Sequence, residues 1–401
     1  MISIKNVVTV DFDIVKDSDV LGDFETTVYF APISMTDDQG NSTNMLLITN
    51  PIQIDNQLTG NQAVITSAKY YFSNGGEKLL IINPTTYSLE AFEETIENAK
   101  NIVNDFMYIC ISNQLMNENA YTAELIKNIA DFCDATVAPD KIRLLLTTNS
   151  GTFIENYGLT ENYVGVKFTS KTVDSNLVDA ALLIGAYFSS VNLDDADSVK
   201  DYCYTKESMP VYGTVNGQTV LVDDGSENAT QETFDALIKN EDNQGYYNFI
   251  DKIGNSIVNF GGNLATVDGV AIHTDFGANA VERDISYSVL EKMIGKQYLT
   301  EQGMSNIKAA INSNLQRYKT NGYLNVGAQY SGETLEIPYN GNKYLVIEAG
   351  TLLPQGFYIY SIPMQDISAT DRQAKRFTPL YVILETQSGA RVIEIKGEIR
   401  A

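Results

Sequence analysis

The alternation of apolar and polar positions predicts a strand at each end of the chain. In residues 1–15 and again in residues 391–399, apolar side chains recur at every second position, and polar or charged residues occupy the opposite face. This period of two is typical of a half-buried strand. The apolar positions are Ile2, Ile4, Val8, Val10, Phe12, Ile14, Ile393, Ile395 and Ile399. Such a strand needs a sheet edge to pair with, and that edge can belong to another subunit. The pattern therefore favours assembly over catalysis.

Between these ends, the first half of the chain alternates short apolar runs with amphipathic runs. Strands are predicted at residues 26–33, 78–84, 106–112, 142–148 and 164–168, with helices at 88–104, 120–132 and 177–188 and a polar loop at 34–44. Apolar strands that alternate with helices indicate a partly parallel sheet with helices on both faces. We therefore predict an N-terminal strand arm over residues 1–22 and an α/β domain over residues 23–209.

The pattern changes after residue 209. Hairpins are predicted around Asn216-Gly217 and Asn340-Gly341, because Asn-Gly suits a type I′ turn. Helices are predicted at residues 231–240, 246–260 and 284–298, and from Thr300 or Ser305 to Asn321-Gly322, followed by a strand at 356–363 and a closing hairpin through 387–389. We predict an α+β domain with antiparallel hairpins over residues 210–378, and a C-terminal hairpin and strand arm over residues 379–401.

Composition excludes several classes of partner. The chain has 51 acidic and 27 basic residues and a net charge of −24, so direct binding of nucleic acid or of anionic membranes is not expected. Apolar runs stay well short of the roughly 20 residues that a membrane helix needs, so membrane insertion is not expected either. Cys110, Cys133 and Cys203 are widely spaced, which favours buried thiols and folding in a reducing cytoplasm.

Candidate catalytic chemistry is sparse. The single histidine, His273, would have to serve any catalytic triad or metal site alone, and we interpret it as structural. Gly75-Gly76 precedes a predicted strand, whereas a phosphate-binding loop follows one, so a tight turn is expected there. The acidic clusters at Asp37-Asp38, Asp194-Asp195-Asp197 and Asp223-Asp224-Glu227 lack calcium-loop spacing. We therefore expect no catalytic residue, no cofactor site and no metal site.

The order of segments from about residue 263 onward is distinctive. GGNLATVDGVAIHTDFG precedes the predicted helix ISYSVLEKMIGKQY, and GFYIYSIPMQDISATDRQAKRF leads into the closing hairpin. In this order the chain resembles the C-terminal half of contractile phage tail sheath proteins. In that family a tyrosine-rich strand leads into a loop with Asp-Arg and a further Arg, which match Asp371, Arg372 and Arg376 here.

This resemblance implies a structural subunit rather than an enzyme. It implies a homo-oligomer of stacked hexameric rings around a tail tube, with baseplate and tail terminator proteins as further partners. The particle would be a virion with a contractile tail, made in the bacterial host cytoplasm, and contraction would drive the tube through the host envelope. The two strand arms would each donate a strand to a neighbouring subunit. Our hypothesis for Arg372 and Arg376 is a bridge to acidic residues near the C-terminal sheet, and the alternative is a local salt bridge.

Other functions remain open at this level. Another tail component, such as a tube or terminator protein, is one alternative, although a tube subunit would be shorter and mostly β. An enzyme on an α/β scaffold that uses His273 and nearby acids is a second. A surface-layer protein or adhesin is a third, and the lack of a recognisable export signal disfavours it.

Overall fold

The computed structural model describes residues 24–103, 106–117, 120–136, 141–148, 179, 181–199, 272–294 and 298–387, together with the strands at 164–168, 206–207, 212–215, 218–221, 249–253 and 256–260. Both predicted strand arms lie outside the described residues. Their apolar positions are Ile2, Ile4, Val8, Val10, Ile393, Ile395 and Ile399.

Secondary structure is dense in both parts of the chain. The first part contains β1 (Thr26–Phe30), β2 (Ser34–Thr36), β3 (Ser42–Thr43), β4 (Met45–Ile48), α1 (Pro51–Gln57), β5 (Leu58–Thr59), α2 (Gln62–Ser73), β6 (Lys78–Ile82), α3 (Leu89–Lys100), β7 (Phe106–Ile111), α4 (Asn113–Asn117), α5 (Ala123–Ala135), β8 (Arg143–Thr148), β9 (Val164–Phe168) and α6 (Leu182–Ser189). The second part contains β10 (Lys206–Glu207), β11 (Tyr212–Val215), β12 (Gln218–Leu221), β13 (Phe249–Ile253), β14 (Ser256–Phe260), α7 (Ile272–Ile294), α8 (Glu301–Thr320), β15 (Ala328–Gln329), β16 (Leu335–Tyr339), β17 (Asn342–Ile347), β18 (Leu352–Leu353), β19 (Phe357–Ser361), a 3₁₀ turn (Met364–Asp366), α9 (Ala369–Ala374) and β20 (Leu380–Leu384).

A six-stranded sheet forms the centre of the first part. Its strand order is β4-β6-β1-β7-β8-β9, and all neighbours are parallel except β4, which pairs with β6 antiparallel. Buried side chains of α3, α4 and α5 cover one face, and those of α2, α6 and α7 cover the other. The predicted fold class, a partly parallel sheet with helices on both faces followed by antiparallel hairpins, is therefore confirmed.

Side-chain caps fix where several helices begin. Ser88 accepts a hydrogen bond from the Ala91 amide, and Thr122 accepts one from the Leu125 amide, which satisfies free donors of the first turn. The helix predicted over residues 88–104 ends earlier, at Lys100, and the helix predicted over 120–132 is displaced to 123–135. The described part of the helix predicted over 177–188 begins at Leu182.

The loop predicted over residues 34–44 is wrong in part. It contains the short strands β2 and β3, joined by a turn in which the Asp37 carboxylate accepts from the Gln39 and Asn41 amides. Strands this short are below the length at which alternation is visible in a sequence. Helix α1 was not predicted either, although Asn50 and Gln53 form a complete capping box around Pro51.

The helix predicted over residues 246–260 is also wrong. This segment forms an antiparallel hairpin in which β13 pairs with β14, with Phe249 opposite Phe260 and Ile253 opposite Ser256. The sequence between the last pair is Gly254-Asn255, a two-residue connection suited to a hairpin. β-branched residues in both strands favour a pleated surface over a helix. The apolar spacing fits both the helical period of 3.6 residues and the strand period of two, so the Gly254-Asn255 turn sequence decides between them.

Later elements agree better with the sequence. Helix α8 begins after Thr300, whose hydroxyl accepts from the Gly303 amide, so the first of the two predicted starts is confirmed. Helix α7 begins at Ile272, well before the predicted residue 284. Both Asn-Gly hairpins are confirmed as strand pairs, and Asn340 and Gly341 have φ of 47° and 80°, as a type I′ turn requires.

A common core joins the central sheet to the C-terminal helices. Phe188 of α6 stacks on Phe276 of α7 with ring centroids 4.7 Å apart. Phe24, just before β1, meets Phe276 edge to face at 5.7 Å. The same cluster continues along α8 to Leu315 and Tyr318. The sheet thus supports the two helices that form the site described next, while the domain boundaries after residues 22, 209 and 378 stay predictions.

Candidate assembly site

Within the part of the chain that the structure describes, the C-terminal ribbon of β19 and β20 has an uncovered edge. Strands β19 and β20 pair antiparallel, with Tyr358 opposite Ile383 and Tyr360 opposite Tyr381. Among the described residues, these two strands form a sheet with no further strand, and only an isolated bridge between Leu324 and Thr386 lies beyond them. Unpaired backbone groups therefore follow the outer edge of β20, which is the arrangement that accepts an added strand.

The side chains of β20 are also incompletely covered. Its sequence, LYVIL, is apolar throughout, yet each of its five residues is only half-buried. Leu380, Val382 and Leu384 pack toward the main core, whereas Tyr381 and Ile383 pack toward the hairpin of β16 and β17. An antiparallel strand with one face in water usually alternates apolar and polar residues, whereas all five residues of β20 are apolar. β20 therefore has the composition of a strand that is buried on both faces, although each of its residues is only half-buried.

An apolar groove of about 510 Å³ lies beside β20. One wall comes from α7, a second from α8, and the third from the segment that leads into β20; no residue of β19 lines it. The wall residues are Ile285, Val289, Met293, Met304, Ile307, Ile311, Phe377, Thr378, Pro379, Leu380, Tyr381 and Val382, with Asp371 and Arg376 beside them. Its volume lies within the range of about 300–1,000 Å³ that is typical of ligand pockets.

Helical spacing explains the two helical walls. Ile285, Val289 and Met293 recur every four residues along α7, and Met304, Ile307 and Ile311 follow the three-four spacing along α8. Residues with these spacings share one face of a helix. These two rows of apolar side chains both line the groove, so its two helical walls are apolar.

A buried carboxylate holds the two helices together at one end of the groove. Asp284 of α7 is fully buried, and it accepts from Arg317 Nη1 at 2.8 Å and from the Tyr318 hydroxyl at 2.5 Å, both on α8. The side-chain Nδ2 of Asn314 donates to the backbone carbonyl of Asp284 at 2.8 Å. Burial, followed by the nearby Asp284 charge, raises the pKa of Tyr318 well above its ordinary value. The hydroxyl therefore remains a donor at all physiological pH values.

The predicted charges, Asp371, Arg372 and Arg376, differ in their position relative to this groove. Asp371 accepts from the Tyr339 hydroxyl and from the Ser368 hydroxyl, each at 2.7 Å, and these bonds lower the pKa of its carboxyl. Asp371 and Arg376 line the groove, whereas Arg372 does not. The hypothesis of a bridge to acidic residues is not tested by these contacts.

Within the described part of the chain, neither arginine forms an ion pair closer than 4.0 Å. The two guanidinium groups are exposed, and Arg376 acts on Asp371 only as a nearby charge that lowers its pKa. The alternative, a local salt bridge, is therefore not observed among the described residues, and Arg376 influences Asp371 only through its charge. Both cations remain available to a neighbouring surface.

A tyrosine-rich face borders the ribbon on the side away from the helices. Its members pack around Ile337, Val346 and Ile362. They are Tyr339, Tyr344, Tyr360 and Tyr381. Tyr358 lies near Tyr360 and is exposed. The spacing of Tyr358 and Tyr360 at alternate positions of a strand was the available sequence signal. Half-exposed tyrosines of this kind are common interface anchors. By contrast, Tyr71 is fully buried and donates to the Lys78 carbonyl.

The crevice where α/β sheets usually bind ligands is filled by protein. The sheet order reverses at β1, which lies between β6 and β7, so the carboxyl ends of β1 and β7 form a topological switch point. There the buried Asp179 accepts from the Tyr29 hydroxyl, from Ser112 Oγ at 2.8 Å and from the Asn113 amide at 2.7 Å. Burial raises the pKa of this carboxyl to about 6.

Other candidates for chemistry have structural surroundings. His273 is buried in the first turn of α7, near the Thr274 hydroxyl. Cys110 and Cys133 are buried, as expected, and Cys203 lies outside the described residues. Gly75, with φ of 93°, forms the turn before β6. Among the residues that the structure describes, no cluster of His, Cys, Asp or Glu could hold a metal ion. No helix in the same set is long and apolar enough to span a bilayer.

Comparison with known proteins gives a consistent picture. Residues 267–397 match the family described as "E217 tail sheath protein gp31-like, C-terminal domain". The resemblance to contractile tail sheath proteins is therefore confirmed in the part of the chain that contains the groove. No curated protein sequence matches the chain.

Solved structures extend the likeness to nearly the whole chain. The helical sheath of the anti-feeding prophage in its contracted state aligns with a TM-score of 0.63 and 13% identity over 97% of this chain and 98% of that chain. A chain in the six-fold symmetrised baseplate of the same prophage aligns with a TM-score of 0.61 and 13% identity over 98% of this chain and 100% of that chain. At this identity, the alignments show a common fold.

Proposed function

We propose that this chain, which resembles contractile tail sheath proteins in its fold and in its C-terminal residues, is the structural subunit of such a sheath. It polymerises as stacked hexameric rings around a tail tube, between a baseplate and a terminator, in a virion assembled in the host cytoplasm. The observation that carries this proposal is the half-covered apolar strand β20 beside an apolar groove, inside a fold shared with a helical sheath.

Strand donation completes the ribbon in this proposal. The N-terminal arm of one subunit, or its C-terminal arm, adds a strand to the free edge of β20 in a neighbour. The added strand satisfies unpaired backbone groups and buries its alternating isoleucines and valines against the groove. Ile2, Ile4, Val8 and Val10 supply the apolar face of one arm, and Ile393, Ile395 and Ile399 that of the other. Each subunit is thus linked to others by its own backbone.

The geometry of donation explains growth into a long polymer. A donor segment on one subunit and an acceptor groove on the next make a head-to-tail interface, which does not close on itself and propagates as rings or helices. Two links per subunit raise the effective concentration of each further contact, so subunits can shift position without separating. Contraction is then a population shift between two packings of one subunit fold, with no nucleotide hydrolysis.

Charge limits how closely such subunits can pack. At a net charge of −24, neighbouring copies repel one another, and exposed cations at an interface reduce that repulsion. Arg376 lines the acceptor groove and Arg372 lies one turn earlier on α9. We propose that at least one of them faces acidic residues of an adjacent subunit.

Electron microscopy of the purified chain tests the proposal. A sheath subunit at high concentration and moderate salt forms long striated tubes or stacked rings. A baseplate component, which the second structural likeness also favours, forms closed rings of fixed height instead. Discrete monomers at every salt and protein concentration would contradict both.

A further inference from the structure

The helix that forms one wall of the groove also anchors the beginning of the described chain. Phe24 packs edge to face on Phe276 of α7, and the guanidinium carbon of Arg283, also on α7, lies 4.0 Å from the Phe24 ring centroid. Phe24 is almost fully buried by these contacts. The 23 residues before Phe24 therefore start from a fixed point on α7.

We propose that, in the unassembled subunit, the groove beside β20 is filled by the chain's own N-terminal arm, residues 1–22. During assembly this arm leaves its own groove and is replaced by the arm of a neighbour. This inference rests on the proposed function, because it takes the groove to be a strand acceptor. It adds that the acceptor is closed until a second copy competes for it.

The length of the arm permits this arrangement. Phe276 and Arg283 lie on one side of α7, and Ile285 and Val289 lie on the other, so the chain must pass around half the circumference of the helix, roughly 16–19 Å for a diameter of about 10–12 Å. The advance along the axis from Arg283 to Val289 is about 9 Å at 1.5 Å per residue. Residues 16–23, which separate the predicted strand from Phe24, span up to about 26 Å when extended. The predicted strand can therefore reach its own groove.

The side chains of the arm fit the surface that they would cover. One face of the predicted strand is apolar, and the groove offers three apolar walls and a free strand edge. The opposite face contains Lys5, Asp11 and Asp13, which would remain in water. A strand that is apolar on one face and charged on the other is suited to a groove that is open on one side.

Connection within one chain favours self-occupancy at low protein concentration. A short flexible tether gives an effective concentration in the millimolar range, about a thousandfold above a micromolar solution of separate subunits. The arm of a neighbouring subunit displaces the subunit's own arm only where the neighbour also makes further contacts, as at the end of a growing polymer. Exchange of an identical element between protomers has a low energetic cost, since each groove makes the same contacts before and after.

Cysteine pairs in the full-length chain test the inference. Val289→Cys in the groove is combined in turn with Ile2→Cys, Ile4→Cys, Val8→Cys or Val10→Cys on the arm, and Cys203→Ser is present in every variant. Lys5→Cys with Val289→Cys is the matched control, because Lys5 lies on the other face of the predicted strand. Equal amounts of ¹⁵N-labelled and unlabelled subunits are mixed at about 1 μM and oxidised, and mass spectrometry identifies the linked peptides.

The expected result is a disulfide from at least one apolar arm position, with both peptides carrying the same isotope. Mixed-isotope pairs should be lower by a factor on the order of a thousand. After polymerisation and then oxidation, mixed-isotope pairs should appear. Mixed pairs in the polymer without same-isotope pairs in dilute solution would overturn self-occupancy and leave strand donation intact. A lack of linkage in both states would overturn self-occupancy and donation of this arm together.

Discussion

Arg143 of β8 and Asp275 of α7 form a buried two-point ion pair, with Nε 2.6 Å from Oδ2 and Nη2 2.8 Å from Oδ1. Asn279, one turn further along α7, accepts from the same guanidinium at 3.3 Å. The pair joins β8, which lies between β7 and β9 in the central sheet, to the helix that forms a wall of the groove. It is therefore a direct polar link between the α/β part and the candidate assembly site.

Removing one partner of this pair should destabilise the fold strongly. Asp275→Ala removes the carboxylate that balances the buried Arg143 charge, so we expect the free energy of unfolding to fall by about 3–5 kcal/mol. Asp194→Ala is the matched control, because Asp194 pairs with Arg317 but is 75% exposed. That change should cost about 1 kcal/mol or less. Chemical denaturation of both variants checks the difference, and equal effects would contradict the account.

Gly277 should resist a substitution that helices normally favour. Alanine in place of glycine inside a helix usually stabilises by about 1 kcal/mol. Here an added Cβ would lie 2.1 Å from Cε2 of Tyr323, whose hydroxyl donates to the Thr274 carbonyl. We expect Gly277→Ala to lower the free energy of unfolding by about 1–3 kcal/mol. In a Tyr323→Ala background the same change should no longer destabilise. Persistent destabilisation there would show that the ring is not the cause.

Asp179 should make the stability of the α/β part fall as pH rises. Burial raises its pKa in the folded protein to about 6, above the value of 3.8 for an exposed carboxyl. The neutral form is therefore favoured in the folded state. The stability that comes from the neutral Asp179 carboxyl is fully present below about pH 4 and is lost as pH rises through 6. A pKa of about 6 instead of 3.8 corresponds to a loss of roughly 3 kcal/mol in the free energy of unfolding.

Asp179→Asn is the variant that isolates this effect. Because asparagine does not ionise, the variant should lack the decline in the free energy of unfolding between pH 4 and 6.5. Thermal or urea unfolding at several pH values gives the two profiles. Parallel profiles for the wild-type and variant proteins would contradict the assignment.

The two arginines near the groove should differ in their effect on assembly. Arg376 lines the groove and Arg372 does not, so Arg376→Ala should weaken polymerisation more than Arg372→Ala. Added salt should reduce the difference, because exposed ion pairs are screened beyond about 10 Å at 0.1 M. Sedimentation of polymer as a function of subunit concentration measures both effects. If both variants assemble and contract as the unmodified chain does, the proposed role of these charges is removed.

Sequence patterns located the elements better than they located the site. Strands β6 to β8 were found because each is a short apolar run between amphipathic helices, and the start of α8 was marked by Thr300. The hairpin of β13 and β14 was mistaken for a helix because its apolar spacing fits both periods. Asp179 within an apolar stretch was the available signal for the buried carboxylate, but the donors to that carboxylate come from two distant segments, around residue 29 and at residues 112–113.

The groove itself could not be predicted from periodicity. It is assembled from residues 285–311 and 371–382, and only the packing of α7 and α8 against the central sheet brings those two segments together. The resemblance drew attention to Asp371, Arg372 and Arg376, yet it did not show that two of them border an apolar surface. The half-burial of all five β20 residues likewise depends on what neighbouring elements leave uncovered.

A high-resolution electron cryomicroscopy map of the assembled polymer tests the central claim most directly, through the density at the outer edge of β20. If strand donation links the subunits, an extended segment there hydrogen-bonds to residues 380–384 and traces back to residues 1–15 or 391–399 of an adjacent subunit. An edge of β20 that is bare in the polymer, or that is covered by other parts of the same subunit, would contradict that claim.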